Sequence, residues 1–393
     1  MLDWIGCPSR LLGLVSSFHE GMRASVKYEG MQSEEFTVKN GVKQGCVLAP
    51  TLFNIYLSVL LSIAFKNTDD GVFMRTRSDG NMFSLERLCS RRQTNQIICR
   101  EFLFADDAVL VAHEEQVLQR LMDRLAWACR LFSLTISITK TEVVAQEAAQ
   151  RPNISLGPKT LTVATRFTYL GSVLTSTLSL DEEIAARIGK AATTFGKLSA
   201  RVWENAKLTT KTRVMVYQAC VLSTLLYGSE TWTLYSKQER KLNTYYMRCL
   251  RKILNIRWQD RVSYMDILRR AQVPSMYEIL KRKRLCWFGH VSRMEEERLP
   301  RQVLYGELSH GNRPVGRPKL RFKDVCKASL RDFHIDMDTW EVAAASRQQW
   351  RALIRRGGTK YAEDIAQREN DRRERRQRAL AASDDREDGG HAC

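Results

Sequence analysis

The chain has 393 residues, enough for two or three domains, and 44% of them are apolar, so it can bury real cores. Its 62 Lys and Arg stand against 44 Asp and Glu, and the resulting +18 favours an anionic partner, nucleic acid ahead of a membrane surface. No stretch reaches the ~18 apolar residues of a spanning helix, Asp3, Trp4 and Pro8 interrupt any secretory leader, and ten scattered cysteines without a CxxC pair point to reduced thiols in an intracellular protein, nuclear or cytoplasmic and not secreted.

In chain order, residues 11–22 read as a helix ending near Gly21, and residues 24–28 and 35–39 alternate like two strands around a Glu29-Gly30 turn. Gly41-Val42-Lys43-Gln44-Gly45-Cys46 is rich in turn residues. Pro50 then opens a helix whose apolar face is Leu52, Phe53, Tyr56, Leu57, Leu60 and Leu61. Residues 67–100 look like an irregular excursion ending in a strand. Residues 102–112 place Asp106 and Asp107 between two apolar runs. A helix follows over about 114–132, and a short strand near 134–138 leads to Lys140.

The character changes after residue 180. Ser179 and Glu182 have capping-box spacing, and Ile184, Ile188, Ala191, Phe195 and Leu198 make an amphipathic helix. Helices near 210–227 and 237–255 follow, so an α+β region gives way to a helical one. Residues 281–323 carry twelve Lys and Arg against four Glu. A further helical stretch runs to about 356, and residues 357–393, dense in charge and poor in large apolar groups, read as a disordered tail.

Asp106 and Asp107 are the sharpest chemical feature. Neighbouring carboxylates between buried strands would repel each other and lose hydration. Two arrangements make them tolerable: a hairpin turn facing water, or a site facing divalent cations, whose charge reverses the penalty. Mg²⁺ favours such hard oxygen ligands and shares its remaining positions with water and phosphates. The common two-residue hairpin turns want Gly or Asn at positive φ, and neither is here. In the preceding Gly-rich segment, Gly45 would let backbone approach a ligand closely, and Lys43 and Gln44 can contact base, sugar or phosphate. An ordinary loop is the alternative there.

The order Gly-Val-Lys-Gln-Gly-Cys-x3-Pro-x2-Phe-Asn, then Phe-Ala-Asp-Asp, then a helix and Lys140-Thr141-Glu142 resembles reverse transcriptases of non-LTR (LINE-type) retrotransposons. The resemblance runs from about residue 10 to 325. It includes Asp181-Glu182-Glu183-Ile184, Leu226-Tyr227-Gly228-Ser229-Glu230-Thr231-Trp232 and Gly289-His290-Val291-Ser292-Arg293-Met294. It implies a partial right-hand polymerase palm over 1–165, a primer-grip hairpin and helical thumb over 166–256, and a basic helical region over 257–356. Asp106 and Asp107 would be palm ligands for Mg²⁺ or Mn²⁺. Lys43, Gln44, Gly45 and Phe104 would lie by template and nucleotide, and Lys140 near the triphosphate. Tyr169, Leu170 and Gly171 would face the primer. The partners implied are an RNA template, a DNA primer and deoxynucleoside triphosphates, with no membrane. Group II intron maturases are related but usually have Tyr in place of Phe104.

The pattern is incomplete. The family polymerase needs a further aspartate on an earlier palm strand, and Asp3, in the loop entering the first helix, does not match it. Fingers are also missing. The expectation is a chain with little or no polymerase activity alone, with unpaired palm strand edges. A non-catalytic nucleic-acid-binding protein and a non-functional gene fragment are the alternatives.

In the basic region, Arg313-Pro314-Val315-Gly316-Arg317-Pro318-Lys319 has the Gly-Arg-Pro core of AT-hook-like minor-groove binders, so Arg313, Arg317 and Lys319 are candidate nucleic-acid contacts; a solvated linker is the alternative. Cys286-x3-His290 is the nearest approach to a zinc pair. Trp287 and Phe288 lie inside it and no second pair has zinc spacing, which favours a packed apolar segment.

Overall fold

The computed structural model describes residues 1–388 except 40, 43, 44, 80, 85, 91, 92, 147, 149, 311–315 and 317, and of residue 376 and of residues 379–388 only the backbone. The fold is α+β, with short strands concentrated before residue 176 and helices after it. Chain contacts divide it into two units, residues 1–72, 98–143 and 151–163, and residues 73–97, 144–150 and 164–393.

The first unit is built on two helices, α2 (Ala49–Ala64) and α3 (Glu115–Leu131), which follow α1 (Ser9–His19). Pro50 sits in the first turn of α2, where its missing N–H costs nothing. Leu60, Ala64 and Phe65 pack on Leu121, Leu125, Ala128 and Cys129, with Leu110, Leu134 and Ile136 closing the edges. The expected strand at 134–138 does not form. Among the described residues no strand runs beside it, and Leu134 and Ile136 pack on this core from an irregular backbone that tightens into a 3₁₀ turn at Ile138–Lys140. Strands 24–28 and 35–39 break into two short ladders, Arg23–Ala24 with Phe36–Thr37 and Lys27–Tyr28 with Met31–Gln32. Glu29 and Gly30 both take positive φ in the turn, +47° and +84°. No residue of α1 is buried, and Leu14, Phe18, Tyr28, Met31 and Phe36 are exposed.

The second unit opens with an excursion that is not loose. Phe73–Thr76 belongs to the strand that pairs antiparallel with Gly306–Leu308, Thr76 opposite Gly306. Met82 is buried, and Phe83 stacks on Phe288. A hairpin of Arg166–Tyr169 and Ser172–Thr175 then leads into α4 (Asp181–Lys197). The capping-box expectation fails in detail: Ser179 Oγ accepts from the Asp181 amide at 3.2 Å, so Ser179 sits one residue too far out for Glu182 to return the bond.

The helices α5 (Thr210–Val216), α6 (Ser223–Leu225), α7 (Ser236–Ile253), α8 (Tyr264–Ala271) and the first half of α9 (Met276–Ser292) close one core with α4. Ile184, Ala191, Tyr217, Leu242, Tyr246, Leu250 and Ile267 are fully buried in it, and it continues across residue 256 to Leu280. Ser263 and Ser275 cap α8 and α9 by accepting from the amides of Asp266 and Glu278, each at 3.2 Å. The second half of α9 enters another core with α10 (Leu299–Tyr305), α11 (Phe322–Asp332), α12 (Trp340–Ala345) and α13 (Arg347–Asp388). Leu285, Phe288, Leu330, Trp340 and Trp350 are buried there.

Composition places a tail from residue 357, whereas α13 runs on without a break. The pair Gly357-Gly358 is a close-packing device: a Cβ on Gly357 would lie 2.5 Å from Phe333 O. Tyr361 then packs near Phe333, and Asp364 pairs with His334 at 2.7 Å. Among the described residues no helix is long and apolar enough to cross a membrane.

Candidate active site

The carboxylates sit at the tip of a hairpin in the first unit. Glu101–Phe104 pairs with Asp107–Leu110, with Phe104 opposite Asp107 and Glu101 opposite Leu110. The root is anchored. Leu110 packs on the α2–α3 core, and the Val111 amide donates to Arg100 O at 2.8 Å. Arg100 donates to Thr68 O at 2.7 Å, lies over the Phe65 ring and pairs with Glu101 at 3.0 Å. Burial pushes the Glu101 carboxyl up, against the pull of Arg100.

The tip is open and strained. The strands are joined by Ala105 and Asp106 alone, and Ala105 takes φ +53°. An alanine in left-handed conformation costs about 1–2 kcal/mol, so a residue with a Cβ supplies the turn that sequence rules assign to Gly or Asn. Strain of this kind gathers at functional sites. Asp106 and Asp107 are exposed, and among the described residues no side chain hydrogen-bonds or ion-pairs with either carboxylate. In a chain of net charge +18 that is a pair of hard oxygen donors without a side-chain partner among the described residues. Phe104, beside them, is 63% exposed.

The donor chemistry suits Mg²⁺, which is commonly held by one or two carboxylates with water and phosphate completing the shell. Among the described residues no group of three His, Cys, Asp or Glu side chains is assembled. Asp3 lies in an exposed turn, its carbonyl accepting from the Gly6 amide at 3.0 Å.

Other candidates fall as follows. Lys43 and Gln44 lie outside the described residues. Gly45 is exposed, has φ +89° and has open space where a Cβ would project. Lys140 is exposed at the end of the 3₁₀ turn, its amide donating to Ser137 O at 3.1 Å. In the second unit Leu170 and Gly171 form the two-residue turn of the 166–175 hairpin, with φ +46° and +81°, and Tyr169 is half-buried before them. Arg313 and Arg317 lie outside the described residues, and Lys319 is exposed. Cys286 and His290 are exposed on α9, while Phe288 between them is fully buried, so the apolar-segment reading of that stretch matches the packing.

Residues 3–174 match the model of the reverse transcriptase (RNA-dependent DNA polymerase) family. They are a reverse-transcriptase domain. The chain is 26% identical over 267 residues to an uncharacterized transposon-derived protein of Caenorhabditis elegans, covering 65% of this chain and 95% of that one. It is 22% identical over 271 residues to the RNA-directed DNA polymerase from mobile element jockey of Drosophila funebris, covering 68% of this chain and 27% of that one. A stretch of 119 residues is 32% identical to the Pol polyprotein of a type-2 retrotransposable element of Drosophila melanogaster, covering 30% of this chain and 9% of that one. The reverse-transcriptase domain is thus related to those of non-LTR retrotransposon elements, and the chain spans only a fraction of the length of the mobile-element polymerases it matches.

Arg187 lies outside every sequence motif, and Glu183 and Tyr227, although inside matching segments, carried no assigned role. All three hydrogen-bond the 166–175 hairpin, Arg187 and Tyr227 at its turn and Glu183 at Val173. The i, i+4 spacing of Glu183 and Arg187 is a readable ion-pair signal, but nothing local tells that the pair is buried.

Proposed function

We propose that this chain is the template–primer-holding part of a non-LTR retroelement reverse transcriptase, and that alone it extends primers little or not at all. The observation that carries the reading is the hairpin tip: two adjacent, exposed aspartates, without a side-chain partner among the described residues, at a strained two-residue turn inside the segment that matches the family. Asp106 and Asp107 would hold Mg²⁺ or Mn²⁺. Bound there, the ion would neutralise triphosphate charge and activate a primer hydroxyl. Phe104, Gly45, Gln44 and Lys43 would lie along template and nucleotide, Lys140 near the triphosphate, and Tyr169, Leu170 and Gly171 at the primer end. Lys319, Arg313 and Arg317 would add contacts to nucleic-acid backbone or minor groove.

A second reading, a nucleic-acid-binding protein without catalysis, is favoured by one fact: two carboxylates, and no third among the described residues, meet at the tip. A two-metal site needs shared carboxylates to fix both ions, so binding is expected to exceed turnover.

The test pairs binding with extension. A DNA primer on an RNA template is titrated with the chain at several salt concentrations, then supplied with deoxynucleotides and Mg²⁺ or Mn²⁺. Tight binding that weakens steeply with salt, without extension, is the expected result. Absence of binding at low salt would refute the polymerase-derived reading. Robust extension that disappears in Asp106→Ala would refute the inactivity.

A further inference from the structure

The turn of the 166–175 hairpin is held from outside by a closed set of side chains. Glu183 and Arg187 lie one helical turn apart on α4 and form an ion pair of 2.7 Å, with side chains only 2% and 6% exposed. A buried pair is costly unless its remaining donors and acceptors are filled, and here the hairpin fills them. The Val173 amide donates to Glu183 Oε2 at 2.7 Å, and Arg187 Nη2 donates to Gly171 O at 2.5 Å. The guanidinium lies 4.5 Å from the centre of the Tyr227 ring, and the Tyr227 hydroxyl donates to Leu170 O at 3.1 Å. Both turn carbonyls are therefore fixed, and the ring is set against the same cation that fixes one of them.

Tyr227 nonetheless remains 52% exposed, and Leu170, on the turn it grips, is 40% exposed. A tyrosine locked by its hydroxyl and by a cation at its face, yet open to solvent beside an exposed leucine, has more constraint than surface packing requires. Such a ring is preorganised to stack on a planar group. Gly171 preserves the access: a Cβ there would lie 3.7 Å from Tyr227 Cε1, so a longer side chain would lie along the ring.

We propose that Tyr227 and Leu170 form a platform for the terminal base of the primer strand, with Glu183 and Arg187 as positioning residues that hold it. The proposal rests on the reading above that this hairpin faces a primer. The ligand is an unpaired or end-stacked nucleobase on a DNA strand.

The full chain is titrated with an RNA template annealed to a DNA primer carrying 2-aminopurine at its 3′ end and a second dye at the far end of the duplex. Anisotropy of the distal dye reports binding, and 2-aminopurine emission reports stacking at the terminus. The unmodified chain quenches 2-aminopurine on binding. Tyr227→Ala loses the quench and binds about 5- to 150-fold more weakly, the range for removal of one base–aromatic stack. Tyr227→Phe keeps the ring and most of the quench. Arg187→Met, checked for an intact thermal transition, still binds the duplex but more weakly, loses the quench, and shows faster hydrogen exchange at Leu170–Gly171; Arg187→Lys restores part of it. Trp258→Ala, at an exposed aromatic remote in sequence, leaves the quench unchanged.

No distal binding by the unmodified chain would overturn the primer reading and the platform with it. Distal binding with equal quenching in the unmodified chain and Tyr227→Ala would overturn the platform alone. Loss in Tyr227→Ala with full quenching in a folded Arg187→Met would overturn the positioning role.

Discussion

Replacing Gly289 with alanine tests a close approach of α9 to α13. Inside a helix alanine is favoured over glycine by about 0.8–1.0 kcal/mol, so helix propensity alone predicts a gain. At Gly289, however, a Cβ would lie 2.5 Å from Trp350 Cδ1 and 2.7 Å from Cε2, far inside the ~3.5–4.0 Å of carbon contact. Trp350 is 1% exposed, and its ring N–H donates to Leu285 O at 2.9 Å, one turn earlier on α9. The methyl group must push the indole off that bond, worth about 0.5–1.5 kcal/mol, and crowd the core, at about 1–3 kcal/mol. The net expectation is a loss of about 1–3 kcal/mol, or a melting point lower by roughly 2–10 °C for a unit of this size. Thermal melts followed by tryptophan fluorescence and near-UV circular dichroism measure it. The loss should shrink in a Trp350→Leu background, where the clashing ring is gone, giving a coupling of about 1 kcal/mol or more. If Gly289→Ala melts at or above the parent temperature, the packing argument is wrong.

Three further outcomes follow from the same reasoning. Ala105→Gly removes the left-handed strain at the hairpin tip and gives back part of it as chain entropy, so denaturant unfolding should show a change between zero and a gain of about 1 kcal/mol; a clear loss would mean Ala105 is not strained. Alkylation of the native chain at pH 8, read by mass spectrometry, should label exposed Cys46, Cys89 and Cys220 first. Cys249 and Cys326, buried and pushed up to about 11 and about 12, should react only after unfolding. Asp70 bonds Arg120 at 2.5 Å and is held below the ordinary carboxylate range mainly by that bond. Its contribution is present above the unfolded value of about 3.9 and is lost as pH falls through the lower folded value. Asp70→Asn should flatten that part of an acid-unfolding curve, and an unchanged curve would show the pair to be inert.

Local patterning explains what could be read in advance. The apolar faces of α3, α4 and α7 repeat at helical spacing and contribute buried residues, whereas of the face read for α2 only Leu60 is buried and the rest is half-buried. The hairpin around Asp106 was legible because two apolar runs bracket two carboxylates with only two residues to spare. What escaped depends on partners far along the chain. Phe73–Thr76 pairs with residues more than 200 positions later, and Met82 is buried in a core made by α9–α13, so the excursion carries no periodic signature of its own. Tyr227 meets Leu170 across 57 positions. The 134–138 segment has alternation but, among the described residues, no neighbouring strand, and alternation without a hydrogen-bonding partner does not make a strand. Beyond residue 356 composition misled, since dense charge and few large apolar groups read as a tail, whereas Gly357 and Tyr361 pack against Phe333 and Asp364 pairs with His334.

Helix α9 belongs to two interiors at once: Met276 and Leu280 seal one, and Leu285, Phe288 and Val291 seal the other. Neither interior can lose its register along this shared rod without disturbing its neighbour. Heat or denaturant should therefore take both in a single cooperative step, and a wedge inserted near Trp350 should be felt as loosening around Tyr246. A dissection of the chain at residue 256 would cut between the rod and half of what it supports, leaving each fragment with an open apolar flank.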